Sequence, residues 1–430
     1  MFEALRADPC RFIETLLDPR SLKRFWRAWR SRGTTAILAE LSTEENVHLP
    51  GVPFDAVSTS GTLATATLLV IDATLPQFDR DAGGRSSFLY LQTLREMGHE
   101  VFFMPNDQLR REPYASILEG LGVKLLIGRG FRCGKWKNWL RDRAGQITHV
   151  ILHRPNVAKR YLTAIRSMAA VKILYFSHDL RFLREMRHYE LNGDAFHRHE
   201  AEYWEKVEKT IISQVDVAYF FSDEETKTVS TWKGTATART VPLFPVNPAQ
   251  AAGFSYAQRA GLLFVGGFSH QPNLDAVLWF AKEVFPLVRQ VMPDIRWHIV
   301  GREPPPEISR LAGDGIVVEG AVSDARLQYL YQTVRLVIAP LRFGAGVKGK
   351  VVEAIFQGVP VVTTTLGAEG IDSRALTIAD TRDALVSAIV GLYSQDRLWD
   401  AARANSIALL NQSFSREAAI QTLDEDLKRS

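Results

Sequence analysis

Short apolar runs of strand length alternate with segments of helical spacing, and this alternation constrains the fold more than any other feature. TLLVID at 67–72 and VKILYF at 171–176 are two such runs, and both are apolar almost throughout. Continuously apolar strands need cover on both faces, which helices provide in a doubly wound parallel sheet. The sequence therefore predicts an α/β fold.

The alternation stops once, in VPLFPVNPAQAAGFSYAQRA at 241–260, and restarts with GLLFVGG at 261–267. Prolines and small residues without a period are typical of a linker. With 430 residues, the chain is long enough for two full domains. We expect two doubly wound domains facing across a cleft. The predicted boundaries are an extension at 1–66, a first domain at 67–245, a linker at 246–260, a second domain at 261–415 and a terminal helix at 416–430.

Composition excludes an intrinsically disordered chain, a collagen-like fibre and a disulfide scaffold, and it favours a cytoplasmic protein. The chain is 46% hydrophobic and 23% charged, which is ordinary for a soluble globular protein. It has two cysteines, compatible with a reducing compartment, and no secretory signal or membrane-spanning run. A net charge of +4 is too small to predict nucleic-acid binding.

The N-terminal extension contains a basic amphipathic segment at residues 20–32. If this segment is helical, one apolar stripe holds Leu22, Phe25, Trp26 and Trp29. Such a helix either lies at an anionic membrane surface or packs on the protein's own core. Both alternatives stay open, and in the first the protein would be a peripheral membrane protein.

The densest chemical signal is the glycine-rich stretch APLRFGAGVKGKVVEAIF at 339–356. It follows an apolar strand and precedes a helix, whose N-terminus favours anions. Lys348 and Lys350 add positive charge, and Glu353 could accept hydrogen bonds from sugar or ribose hydroxyl groups. The pattern predicts a nucleotide-diphosphate site. An alternative is that Gly344, Gly346 and Gly349 form the dinucleotide fingerprint of an NAD-dependent dehydrogenase, but its late position disfavours this.

Two further loops lie at predicted strand ends, where ligands of parallel sheets bind. Gly83 and Gly84 precede a helix, and His178 and Asp179 follow a strand, as does Arg154. The letters Asp79-Arg80-Asp81 match a metal–diphosphate motif too weakly to assign a metal. In the nearby helical stretch, the spacing of His188, His197 and His199 predicts a solvated face rather than a metal site.

Several long stretches resemble glycosyltransferase family 4, the retaining enzymes of the GT-B fold. They include 264–301 and RFGAGVKGKVVEAIFQGVPVVTTTLGAEGI at 342–371 in the second half, and 79–107 and YFSHDLRFLREMR at 175–187 in the first. The resemblance is to bacterial enzymes that assemble O-antigen, capsule or exopolysaccharide. It implies two Rossmann-like domains, a nucleotide-sugar donor in the second, no required cofactor or metal, and a terminal helix that crosses back to the first.

The resemblance also assigns residues. Glu353 matches the ribose-binding Glu of the family's E-x7-E pattern, but Ala345 replaces its first Glu, and GGFSHQPN at 266–273 lacks the usual basic pair. His178 matches the active-site His, and we expect Lys348 and Lys350 to act with it in catalysis. The expected donor-binding residues are Gly266, Gly267, Arg342, Gly346, Val347 and Glu353. The expected acceptor-side or phosphate-loop residues are Gly83, Gly84, Arg85, Arg154 and Asp179.

Together with the nucleotide-diphosphate pattern, the resemblance thus implies a glycosyltransferase that moves a sugar from a UDP-, GDP- or dTDP-linked donor to a glycan or lipid-linked acceptor. It implies retention of configuration, and the expected location is the cytosolic face of the inner membrane. Two alternatives remain: a nucleotide-sugar binding module without turnover, which Ala345 suggests, and the dehydrogenase.

Overall fold

A computed structural model describes residues 66–234, 236–246 and 254–428. The predicted N-terminal extension, including the amphipathic segment at 20–32, lies outside the described residues. Within the described ranges, no helix is both long and apolar enough to cross a membrane.

The first sheet has seven parallel strands in the order β3-β2-β1-β4-β5-β6-β7. Its strands are β1 (Thr67–Asp72), β2 (Glu100–Pro105), β3 (Lys124–Leu125), β4 (His149–His153), β5 (Lys172–Phe176), β6 (Val217–Phe220) and β7 (Thr237–Thr240). The order reverses direction at β1, so the carboxyl ends of β1 and β4 flank a crevice that is suited to ligands.

The second sheet has six parallel strands in the order β10-β9-β8-β11-β12-β13. Its strands are β8 (Leu262–Val265), β9 (Trp297–Val300), β10 (Ile316–Gly320), β11 (Leu336–Ala339), β12 (Val361–Thr363) and β13 (Thr377–Ile378). Two parallel sheets with helices between their strands confirm the predicted α/β two-domain fold.

Helices connect the strands and cover both sheets. They are α1 (Ala82–Glu96), α2 (Tyr114–Gly120), α3 (Trp136–Asp142), α4 (Pro155–Met168), α5 (Arg181–Asn192), α6 (Ala195–Ile212), α7 (Asp223–Ser230), α8 (Gln271–Trp279), α9 (Phe285–Val291), α10 (Pro306–Ser309), α11 (Asp324–Thr333), α12 (Gly349–Phe356), α13 (Arg382–Ser394), α14 (Asp396–Ser413) and α15 (Arg416–Leu427). Asp81 caps α1 by accepting a hydrogen bond from the Gly84 amide at 2.8 Å.

The helical segment that runs from α8 into α9 is interrupted by a π-helical turn at Phe280–Val284. Pro286 follows this turn. Proline has no amide hydrogen to donate back into the helix, and its ring displaces the carbonyl one turn earlier, which accounts for the local widening.

The β1 side chains show why the middle of the strand is apolar. Leu68 and Val70 are buried in one hydrophobic cluster, whereas Leu69 and Ile71 are buried in another on the opposite face. The first cluster continues through the second domain, for example to Val337 of β11. The two domains therefore share a core on one side of the first sheet.

The last helix, α15, packs against the first domain. Asp426 accepts hydrogen bonds from the Tyr219 hydroxyl at 2.8 Å and from the Arg239 Nε at 3.1 Å. Just before α15, Ser415 forms a parallel bridge with Val246, so the two places where the chain passes between domains lie side by side.

Candidate functional site

The glycine-rich loop that leads into α12 lies directly against the first domain. A Cβ on Gly346 would be 3.2 Å from both the His178 carbonyl oxygen and the Asp179 Cβ, and a Cβ on Gly349 would be 2.5 Å from the Ala82 Cβ. A side chain at Gly349 would therefore collide with the first domain. At Gly346 a Cβ would be tighter against the first domain than usual, and the φ of 71° also favours glycine. The predicted loop and the predicted His178–Asp179 pair thus meet at the boundary between the domains.

Lys348 is buried at the start of α12. Its Nζ donates to the Gly346 carbonyl oxygen and lies 3.3 Å from the Glu369 Oε2. Burial lowers the Lys348 pKa, although the Glu369 charge acts in the opposite direction. The ammonium group is thus held in position where the loop meets the first domain.

Lys350 lies beside the predicted Gly266–Gly267 turn. Its Nζ donates to the Asn273 Oδ1 and lies 4.3 Å from the centre of the Phe264 ring. A Cβ on Gly266 would be 2.7 Å from this Nζ, so glycine leaves room for the lysine. Burial, together with the Lys348 charge, lowers the Lys350 pKa to about 7. An anion bound here would restore the protonated form.

Two predicted donor-binding residues form ion pairs. The Arg85 Nη1 of the first domain donates to the Glu353 Oε1 at 2.9 Å, so Glu353 lies at the domain boundary. Arg342 is held by Asp275, with 2.9 Å between Nε and Oδ2. Val347, another predicted donor residue, packs against Gly370.

A second cluster forms at the carboxyl ends of β1, β4 and β5. His153 and His178 share a hydrogen bond of 2.9 Å between Nδ1 and Nε2, and the His178 Nδ1 is buried with no hydrogen-bond partner among the described residues. The Asp72 Oδ1 accepts from the Arg154 Nε at 2.9 Å. A Cβ on Gly83 would lie 2.7 Å from the Arg154 Nη2, so the predicted glycine loop and Arg154 are in contact.

The protonation states in this cluster follow from burial and charge. Burial lowers the His153 pKa to about 4. Burial and the Arg154 charge lower the His178 pKa well below its ordinary value. Burial raises the Asp72 pKa, but Arg154 and the two histidines outweigh it and hold the pKa well below its usual range. At neutral pH the cluster is a carboxylate–guanidinium pair beside two neutral imidazoles.

Two residues of this cluster have strained backbones. Arg154 and His178 have φ values of 66° and 67°, in the left-handed region that non-glycine residues rarely occupy. Such strain costs of order 1–3 kcal/mol per residue and is concentrated at functional sites. Arg154 comes directly after β4 and His178 two residues after the end of β5, so the strain turns the chain sharply at the crevice.

Buried carboxyl groups hold the loop after His178 in place. The Glu225 Oε1 accepts from the Leu180 amide at 2.8 Å, and the two Glu208 oxygens accept from the Arg181 and Phe182 amides at 2.8 and 3.1 Å. These are the unsatisfied N–H groups at the start of α5. Burial raises the pKa of both Glu208 and Glu225 to about 8.

The letters Asp79-Arg80-Asp81 do not converge on a shared site. Asp79 accepts from the Tyr114 hydroxyl at 2.6 Å, whereas Asp81 caps α1. Both carboxylates therefore have structural partners.

The predicted solvated face at His188, His197 and His199 is wrong for two of its members. Only His199 is exposed. The other two are partly buried at the domain boundary and line a cavity of about 210 Å³ with residues 269–272. A neighbouring cavity of about 310 Å³ is lined by Arg342 and Phe343. Helical spacing alone could not predict this, because the second domain covers this face of α5.

Comparison with known proteins matches one family to most of the second domain. Residues 259–395 match the family described as "Glycosyl transferases group 1". The match is to a glycosyltransferase domain. A protein of Klebsiella pneumoniae described as an "Uncharacterized 44.6 kDa protein in cps region" is 34% identical over 116 residues. This alignment covers 25% of this chain and 30% of the relative, so the chain spans less than a third of that relative's length.

Solved structures share the fold over most of the chain. HepE from Anabaena in complex with UDP has a TM-score of 0.60 at 12% identity, covering 84% of this chain and 99% of that one. Sucrose-phosphate synthase from Thermosynechococcus elongatus has a TM-score of 0.59 at 14% identity, covering 84% and 98%. A glycosyltransferase from Rickettsia africae has a TM-score of 0.58 at 13% identity, covering 85% and 100%. The two-domain architecture is that of GT-B glycosyltransferases.

The glycosyltransferase domain and its partner domain contain site residues that the sequence did not single out. They are Asp72, His153, Arg187, Glu208, Glu225 and Asn273. Asp72 and His153 end apolar strands, a signal that could have identified them. The others depend on contacts between distant segments and left no local pattern.

Proposed function

We propose that the chain is a retaining glycosyltransferase of family 4 that moves a sugar from a nucleoside-diphosphate donor to a glycan or lipid-linked acceptor. The observation that carries this proposal is the meeting of the Lys348 loop with the His178 loop across the domain boundary. An anion-binding helix start and a strained, partly unpartnered histidine thus lie close together at the domain boundary.

Lys348 and Lys350 stabilise the departing diphosphate. As the bond between the sugar carbon and the phosphate oxygen breaks, negative charge develops on that oxygen, and preorganised cations stabilise it most in a site that excludes water. The acceptor oxygen forms the new bond on the same face, and its proton passes to the leaving phosphate. His178 interacts with a hydroxyl group of the transferred sugar.

The remaining residues position the two substrates. Glu353 binds ribose hydroxyl groups, and Arg85 orients its carboxylate. The backbone at Gly266, Gly267, Gly346 and Val347 lies against the donor, and Arg342 supports its phosphates. Gly83, Gly84, Arg154 and Asp179 border the acceptor side. No metal and no cofactor are required for this transfer.

The donor in this proposal is UDP-, GDP- or dTDP-linked, and the UDP bound to HepE supports a nucleotide sugar. The cps-region relative supports a role in bacterial surface-polysaccharide assembly. Peripheral attachment at the cytosolic face of the inner membrane is part of the proposal and rests on the basic segment at residues 20–32. The domains are proposed at 67–245 and 261–415, with a linker at 246–260 and the terminal segment 416–430 returning to the first.

The test begins with a thermal-shift screen of UDP, GDP, dTDP, their sugar conjugates and NAD, because a ligand of the folded state raises its apparent stability. The best nucleotide sugar is then used in steady-state kinetics of Lys348→Ala. Loss of one such charge lowers kcat about a hundredfold, equivalent to ~3 kcal/mol. Lys282→Ala is the matched control, since the Lys282 side chain is 83% exposed.

Near-wild-type turnover of Lys348→Ala at saturating donor would overturn the assigned role. Binding of a nucleotide sugar without hydrolysis or transfer in any acceptor screen identifies a binding module instead. Stabilisation by NAD but by no nucleoside diphosphate identifies a dehydrogenase.

Membrane attachment is tested by co-sedimentation with vesicles containing anionic lipid. The full chain is compared with a variant that begins near Thr65. We expect only the full chain to sediment, because attraction by a polybasic segment is about 1 kcal/mol per basic residue. Equal sedimentation of the two proteins would remove this role from residues 20–32.

A further inference from the structure

Three side chains that ligate metals in proteins meet on the helical hairpin that follows His178. Glu185 and His188 lie on α5, three residues apart, and His197 lies on α6. One ligand atom from each side chain lies within 4.8 Å of the other two. The Glu185 Oε2 and the His197 Nδ1 are 2.8 Å apart, and the two imidazole centres are 3.7 Å apart.

The turn between the helices creates this convergence. Gly193 ends α5 with a φ of 69°, and Asp194 caps α6 by accepting from the Phe196 amide at 2.9 Å. The chain therefore reverses tightly, and α5 and α6 pack against each other. Residues three apart share one face of a helix, so Glu185 and His188 together face His197.

The environment is suited to holding a cation. The Glu185 and His197 side chains are only 15% and 16% exposed, and the ring of His188 stacks on Phe343 of the second domain with 3.9 Å between centres. All three ligands border the 210 Å³ cavity, which provides an entry path and room for a water ligand. Two imidazoles, one carboxylate and an open position are a donor set that Zn²⁺ accepts.

Positive side chains nearby work against a cation, but their effect is limited. The Arg181 Nε is 4.0 Å from the Glu185 Oε1. Arg184 borders the same cavity, but its charge is paired with Asp179. Burial raises the Glu185 pKa, but the hydrogen bond with His197 and the two arginine charges outweigh burial. The Glu185 pKa is therefore lowered, and the carboxylate is ionised at neutral pH.

We propose that Glu185, His188 and His197 bind a divalent transition-metal ion of the Zn²⁺ class at the edge of the interdomain boundary. The site is separate from the residues proposed for sugar transfer and needs no nucleotide sugar. Because His188 contacts Phe343, a bound ion fixes the hairpin of the first domain where it touches the second.

The experiment uses the untagged full-length chain, stripped with a chelator and dialysed against Zn²⁺ at low micromolar concentration. Metal content is measured by mass spectrometry. We expect about one Zn²⁺ per chain for the wild type and less than a tenth for His188→Ala with His197→Ala. His199→Ala is the matched control, because this exposed histidine lies on the same helix, and it retains full binding. Circular dichroism verifies that each variant is folded.

Co²⁺ provides a second readout, because its visible absorption reports imidazole coordination directly. The wild type and His199→Ala give this spectrum, and the double variant and Glu185→Gln give it weakly or not at all. Unchanged Zn²⁺ content in the folded double variant, or equal loss in His199→Ala, would overturn the proposal. Neither readout depends on transfer activity, so failure of this site and failure of the proposed function remain distinguishable.

Discussion

Arg187 of the first domain and Glu369 of the second form a two-pronged ion pair, with Nη1–Oε2 and Nη2–Oε1 distances of 2.8 and 3.0 Å. The Arg187 Nη1 also donates to the Gly344 carbonyl oxygen at 2.7 Å. Because Glu369 in turn contacts Lys348, one arginine connects the hairpin of the first domain with the cationic loop of the second.

We expect Arg187→Ala to destabilise the protein by about 1–3 kcal/mol, since it leaves a buried carboxylate with one partner fewer. A double-mutant cycle with Glu369→Gln, measured by urea unfolding, should give a coupling energy above about 0.5 kcal/mol. Arg198→Ala is the control, because the Arg198–Glu202 pair is exposed on both sides. Additive effects of Arg187→Ala and Glu369→Gln would show that the pair does not join the domains.

The lowered pKa of Lys350 predicts that the protein takes up a proton when a diphosphate binds. With a pKa of about 7, its amine is mostly neutral at pH 8, and a bound diphosphate raises the pKa so that a proton binds. Calorimetry in buffers of different ionisation enthalpy should show nearly one proton taken up per nucleoside diphosphate at pH 8, and about none at pH 6.

Lys350→Arg is the matched variant, because a guanidinium stays protonated at both values. It should abolish the uptake at pH 8 while keeping the positive charge. The same uptake in Lys350→Arg as in the wild type would contradict the assignment.

The buried His153 ring predicts acid sensitivity. Its pKa is lowered from the ordinary value to about 4, so between these values the unfolded chain binds a proton that the folded chain does not. The contribution of this histidine to the free energy of unfolding is full above pH 6.5. It is lost as the pH falls toward 4, which lowers the free energy of unfolding by up to about 3 kcal/mol.

His153→Phe keeps the stacking on Phe176, where the ring centres are 4.9 Å apart, and removes the titration. We expect the free energy of unfolding to fall less steeply with acid in this variant than in the wild type. The measurement is urea unfolding between pH 4.5 and 7, with His199→Ala as the exposed control. Parallel pH profiles for His153→Phe and the wild type would refute the burial argument.

Two glycines test the domain contact. A Cβ at Gly349 would meet Ala82 of the first domain, whereas a Cβ at Gly391, inside α13, would meet nothing within 4 Å. We expect Gly349→Ala to lose about 1–3 kcal/mol and Gly391→Ala to gain up to about 1 kcal/mol. Thermal unfolding measures both. Equal behaviour of the two variants would be incompatible with the described approach of the loop.

The sequence predicts the fold well because its parallel strands are covered on both faces, so strands such as β1 and β5 are apolar over most of their length. It also places the glycine-rich loop, because strand, glycines and helix are consecutive. The pairing of His153 with His178 was not predictable, since it depends on the order of strands in the sheet. The contact between Arg187 and Glu369 joins residues from different domains, and only packing brings them together.

The bridge between Val246 and Ser415 has a mechanical consequence. Val246 and Ser415 lie side by side next to the two places where the chain passes between the domains, so the bridge is placed to act as a hinge. We expect any relative movement of the domains to be a rotation about this bridge rather than a sliding motion. Residues 67–245 expressed alone would also lack the final helix, α15, which packs against the first domain.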